Sequence, residues 1–255
     1  MEAIRPVIFR ADRVQQAAAP AGPIAVSWLG RIGYREAWDL QHRLAEARAA
    51  DEIGDQLLLL EHPPVLTLGR YADESHVLAA PDELARRGIE VIRVERGGEV
   101  TYHGPGQLVA YPIVALSQRG LLLKPLVRAL EAAMIETCGR FGVEAGRRDG
   151  HPGCWCDVDS SAPRKIGALG IRVQRGVTYH GIALNVNADL AGFDLIDPCG
   201  MPGVASTSIA RELGSPELPS TEAVCRAAAA FAAGFGRAIG AEMSGEVTPV
   251  ERSVL

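Results

Sequence analysis

A chain of 255 residues is long enough for one sizeable domain with a buried core, or for two small ones. Hydrophobic residues at 47% and charged residues at 22% are ordinary for a soluble globular protein, and no run approaches the roughly 20 apolar residues that cross a membrane. A net charge of −5 excludes a general nucleic-acid binder, which needs a basic surplus to neutralise phosphates, although Arg147, Arg148, Arg164, Lys165, Arg172 and Arg175 lie close together in sequence.

Residues 1–23 read as a flexible leader, rich in Ala and Pro from Ala17 to Pro23. It lacks the uninterrupted apolar segment of a secretory signal. Five cysteines at irregular spacing do not form a disulfide framework, so the expected compartment is a reducing cytoplasm. Ordered structure is expected from Ile24, a single domain over 24–240, and a tail over 241–255.

Apolar spacing predicts an amphipathic helix over 34–50. Gln56–Glu61, with four successive leucines, and Val65–Leu68, after the Pro63–Pro64 break, read as buried strands. Pro81 suits the first turn of a short helix ending near Gly88. Strands are predicted at 89–94 and 108–116, and a helix at 124–141. Lys165–Val173 and Val177–Asn187 read as a hairpin turning at 174–176. A helix from about Thr221 to Ile239 closes the chain. These elements alternate without a regular βαβ rhythm, which predicts one α+β (or α/β) domain with a mixed sheet flanked by helices.

The pentapeptide Val-Thr-Tyr-His-Gly occurs twice, at 100–104 and 177–181, in a chain with only five tyrosines and six histidines. The first copy follows Gly97–Gly98 and runs into Gly104-Pro105-Gly106, a sharp turn. The second continues as a strand. Side chains alternate along a strand, so Tyr and His of each copy are expected to diverge, one into a shared cleft and one packing behind it. Each pair also reads as core residues of a β-rich domain; the two-wall pocket is the sharper expectation.

Cys199, between Pro198 and Gly-Met-Pro-Gly, lies in an irregular loop, whereas Cys138 and Cys225 sit on helix faces as core residues. A loop thiol becomes a nucleophile when a nearby cation lowers its pKa. Lys165, opening a strand that is otherwise apolar and glycine-rich, is the natural cation, and a partly desolvated lysine also accepts and returns protons; at a strand end it also reads as a surface residue. His151, Cys154 and Cys156 lack the second ligand pair of a structural zinc site, so no metal is expected. No phosphate-binding loop or dinucleotide fingerprint is present.

Three blocks, RGGEVTYHGPGQLVAYPI, RKIGALGIRVQRGVTYHGIALNVNADLAGF and PCGMPGVAST, together resemble the octanoyltransferases of protein lipoylation, over roughly Ala25 to Ile239. The resemblance implies the catalytic-domain fold of biotin and lipoate protein ligases. It implies transfer of an octanoyl group from octanoyl-acyl carrier protein to a lysine of lipoyl domains in 2-oxoacid dehydrogenase complexes and the glycine cleavage H protein, with no cofactor. By this resemblance Cys199 is the acyl-thioester nucleophile and Lys165 lowers its pKa and serves as general acid and base. The acyl pocket would be lined by Arg96, Gly97, Gly98, Glu99, Val100, Thr101, Tyr102 and His103, by Ala168, Leu169 and Gly170, and by Gly181, Ile182 and Ala183. Alternative readings are an ATP-dependent lipoate or biotin-type ligase, an octanoyl relay between lipoyl domains, and a non-catalytic docking module for the carrier protein.

Overall fold

The computed structural model describes residues 22–197, 204–215 and 220–248. Strand β1 (Ile24–Arg31), helix α1 (Tyr34–Ala49) and strand β2 (Gln56–Glu61) form a parallel crossover. After β3 (Val65–Leu68) come α2 (Pro81–Arg86), β4 (Glu90–Arg93), β5 (Val100–His103), β6 (Gln107–Ile113) and α3 (Leu123–Arg140). The chain continues through β7 (Gly146–Arg148), β8 (His151–Cys156), β9 (Arg164–Gln174), β10 (Val177–Asn185), α4 (Ile209–Glu212), α5 (Thr221–Ile239) and β11 (Met243–Ser244).

Two sheets result, not one. The larger runs β11-β1-β2-β6-β10-β9-β8-β7, and a three-stranded sheet runs β4-β3-β5. The larger sheet is mixed: β1 pairs in parallel with β2 and β11, and the remaining ladders are antiparallel.

The four leucines of β2 show why this sheet is covered on both faces. Leu57 and Leu59 enter the main core with Leu126, Leu130 and Met134 of α3 and Phe231 and Phe235 of α5. Leu58 and Leu60 point the other way, onto Ala37 of α1, Val109 and Tyr111. A run apolar at every position is what a strand buried on both sides requires. Ser220 caps α5 by accepting from the Ala223 amide, and Gly240, at φ 65°, ends it.

Three expectations need correction. Residues beyond 240 are not simply a tail, because Met243 and Ser244 pair with Ile24 and Ala25. The 151–156 stretch, for which no element is expected, is a strand. It brings Cys154 and Cys156 into the main core, and among the described residues no group of three or more His, Cys, Asp or Glu is placed to hold a metal. The predicted hairpin is longer than expected at its start and turns on two residues, Arg175 and Gly176, between the paired Gln174 and Val177. Both turn residues have positive φ, at 49° and 80°, the geometry that matches strand twist in a tight hairpin. No helix of the described residues is long and apolar enough to cross a membrane.

Candidate active site

Where the small sheet meets β9 and β10, a cleft of about 530 Å³, its open mouth included, is lined by Tyr34, Arg96, Gly98–Thr101, His103, Tyr111, Lys165, Ala168–Gly170 and His180–Ala183. An adjoining hollow shares Thr101, Lys165, Ala168 and Ala183 and adds Gln107, Gly167, Asn185, Phe193, Val204 and Ser206. The two histidines of the repeated pentapeptide therefore face one cavity. Of the residues expected there, Gly97 and Tyr102 do not line it. Gly97 is turned into the joint between sheets, its amide donating to the Ile171 carbonyl at 3.3 Å. Tyr102 packs edge-on against Phe193, with centroids 5.6 Å apart, in the core of the small sheet.

Close backbone approach makes this joint. A Cβ on Gly170 would stand 2.5 Å from the Gly97 carbonyl oxygen, and one on Gly181 would overlap the Ala110 carbonyl. Glycine at these two positions lets the wall loop and β6 lie against the hairpin.

The first copy behaves as alternation predicts: Tyr102 packs behind and His103 faces in. His103 Nδ1 lies 2.7 Å from Gln107 Oε1. Its pKa is pushed down to about 3, by burial and then by neighbouring His62, whose own is pushed down to about 4 by burial. The second copy departs from the expectation. His180 has φ 55°, left-handed backbone, so Tyr179 and His180 do not diverge; their rings stack at 5.0 Å. Gln41 of α1 holds the kink by accepting from the His180 amide at 2.7 Å. Burial pushes the His180 pKa down. Glu95 stands 3.8 Å from His180 Nε2 and 2.7 Å from His42 Nε2. Burial would raise the Glu95 carboxyl, but His180, the backbone and Trp38 outweigh it and hold it at about 2.

Arg96 is fastened in place. Its guanidinium donates to the Thr67 carbonyl at 2.7 Å, the Thr67 hydroxyl at 2.9 Å and the Gly97 carbonyl at 3.0 Å. A polar chain also runs from His103 through Gln107, whose Nε2 donates to Asn185 Oδ1 at 2.9 Å, to Asn185, whose Nδ2 donates to the Thr207 carbonyl at 2.9 Å.

Lys165 stands at the other end, its Nζ 5.1 Å from the centre of the Trp155 ring. Its backbone is gripped by Ala205 and Thr207. The Lys165 amide donates to the Ala205 carbonyl and the Thr207 amide donates to the Lys165 carbonyl, both at 2.9 Å. Neighbouring Arg164 makes a two-pronged bond to Glu212, at 2.9 and 2.8 Å. Cys199 lies outside the described residues. The four other cysteines are free and buried. Cys154 is pushed well up by its Cys138 neighbour and by burial, and Cys156 up to about 12 by burial.

Tyr34 and Tyr111, absent from the expected lining, complete the cavity. No local motif marks Tyr34, which α1 brings in, whereas Tyr111 lies within the 96–113 sequence block and enters through strand register. The scarcity of tyrosine was the available signal: Tyr34, Tyr102, Tyr111 and Tyr179 all lie in or directly behind the site.

Comparison with known proteins agrees with this architecture. The lipoyl protein ligase A/B catalytic domain profile matches residues 33–232. An octanoyltransferase of Chloroflexus aurantiacus is 51% identical over 192 residues, covering 75% of this chain and 85% of the relative. One of Corynebacterium efficiens is 48% identical over 226 residues, covering 88% and 86%. A solved structure of a putative lipoate protein ligase from T. acidophilum superposes over 87% of each chain with TM-score 0.61 at 15% identity, a likeness of fold alone. The chain belongs to the lipoyl protein ligase A/B catalytic-domain family and, within it, to the octanoyltransferases, which are acyltransferases of protein lipoylation.

Proposed function

We propose that this chain moves an octanoyl group from octanoyl-acyl carrier protein to a lysine of lipoyl domains, through a thioester on Cys199. The observation that carries the reading is the backbone pairing of Lys165 with Ala205 and Thr207 beside a slot whose nearest wall is alanine and glycine. Cys199 is six residues before Ala205 in sequence, a span of at most about 20 Å of extended chain.

In the first half the Cys199 thiolate attacks the carrier thioester. The new carbon–sulfur bond forms as the old one breaks, and the carrier leaves as a thiolate that takes a proton from the Lys165 ammonium. In the second half the target lysine amine attacks the acyl-cysteine, Lys165 accepts its proton, and the Cys199 sulfur leaves. The ammonium also favours the thiolate over the thiol before the first attack. The donor arrives already activated as a thioester, so the route calls for no nucleotide. Small apolar walls from Ala168, Gly170, Gly181 and Ala183 would hold the chain, at about 0.8 kcal/mol per buried methylene.

The acceptors are lipoyl domains of 2-oxoacid dehydrogenase complexes and the glycine cleavage H protein, and the compartment is the cytoplasm, consistent with four free cysteines among the described residues. The test is intact-mass analysis after mixing with octanoyl-acyl carrier protein. Wild type should gain one octanoyl group and Cys199→Ala none. Full transfer by Cys199→Ala using ATP and free octanoate would instead select the ligase reading.

A further inference from the structure

The cavity changes character along its length. Lys165 marks one end. Strand register then carries the walls through Ala168 opposite Ala183, Leu169 opposite Ile182 and Gly170 opposite Gly181, to His180 opposite Ile171. Along these three pairs, about 10 Å of strand, Ala168 with Ala183 and Gly170 with Gly181 share the cavity face, while Leu169 and Ile182 between them pack toward the main core. Beyond these pairs the lining is polar and closed to solvent: Tyr34, His103, Tyr111 and His180 are 5%, 6%, 4% and 1% exposed. Both ring nitrogens of His180 are buried without a hydrogen-bond partner, as is Gln41 Nε2 behind it. Glu95, at 3.8 Å, is beyond hydrogen-bond reach.

We propose that His180 and Tyr111, at this closed end, set the upper limit on acyl-chain length, admitting medium chains and rejecting long ones. The inference rests on the octanoyl-transfer reading of the same cavity. Each methylene that slides between the aliphatic walls gains roughly fourfold in affinity. The next methylenes past Gly181 would meet the His180 imidazole, whose two nitrogens have no partner, beside the Tyr111 hydroxyl, which is already 2.9 Å from His62 Nε2. Hydrocarbon packed on the imidazole shuts its two nitrogens off from any partner, which costs roughly five- to 150-fold, so the polar term wins and the chain stops there.

Isothermal titration with free octanoate and free dodecanoate tests the limit without any chemistry. Wild type should bind octanoate at least tenfold more tightly. His180→Leu and Tyr111→Phe, the latter removing a single hydroxyl, should each shrink that ratio at least threefold, with folding checked by circular dichroism. An unchanged ratio in the folded variants, or a wild type that favours dodecanoate, overturns the proposal. Intact-mass analysis with octanoyl-acyl carrier protein is run in parallel. The predicted binding ratios without any octanoyl adduct would leave the length limit standing and remove the octanoyl-transfer reading.

Discussion

Acidification is expected to unfold this protein through its buried imidazoles. His62 and His103 are neutral and buried, with pKa values pushed from 6.5 down to about 4 and about 3, chiefly by burial. Their folded-state values lie below the unfolded one, so the unfolded chain binds the extra protons. The stabilisation is full above about pH 6.5 and is lost as pH falls toward 4 and 3. At pH 5 each histidine favours the unfolded chain by about 2 kcal/mol, 1.5 pH units at about 1.36 kcal/mol per unit, and the pair by about 4 kcal/mol. That is a large share of the roughly 5–15 kcal/mol that holds a domain together. His180 pushes in the same direction. Urea unfolding followed by circular dichroism from pH 7.5 to 5 measures it, and His103→Asn should lose about half of the fall. Stability that stays flat across this range, or a variant with the wild-type slope, refutes the burial argument.

Other outcomes follow from the same geometry. Gly181→Ala places a methyl against the Ala110 carbonyl and should cost about 1–3 kcal/mol in urea melts. Asn185→Leu breaks the polar chain, leaving Gln107 Nε2 and the Thr207 carbonyl short of a partner, and should cost a similar amount by the same measurement. Lys165→Ala should slow octanoyl-adduct formation on the order of 10²- to 10⁴-fold in a timed intact-mass series, while a variant as fast as wild type removes the lysine from the chemistry. Native Cys199→Ser should resist maleimide and take up label at Cys138, Cys154, Cys156 and Cys225 only on unfolding, because all four are buried.

Elements with a strong pattern were legible in the sequence. Gln56–Glu61, with its four leucines, and Thr221–Ile239 stand where the sequence predicts them. The wall segments could be located because glycine-rich, repeated motifs carry them. What escaped was set by tertiary context. His151–Cys156 holds Pro152 and Gly153 and carries no predicted element, yet pairing with β7 and β9 makes it a strand. The second pentapeptide has the composition of a regular strand, and only Gln41, 139 residues away, holds His180 in its left-handed turn. Tyr34 reaches the cavity through packing of α1 that no local window contains.

The most direct measurement is to isolate the octanoylated protein, map the adduct by peptide mass spectrometry, and chase it with a lipoyl domain. The account predicts a hydroxylamine-sensitive octanoyl group on Cys199 that passes to the domain's lysine without ATP. An octanoyl group mapped to any other side chain, or a Cys199 adduct that the lipoyl domain cannot discharge, contradicts it.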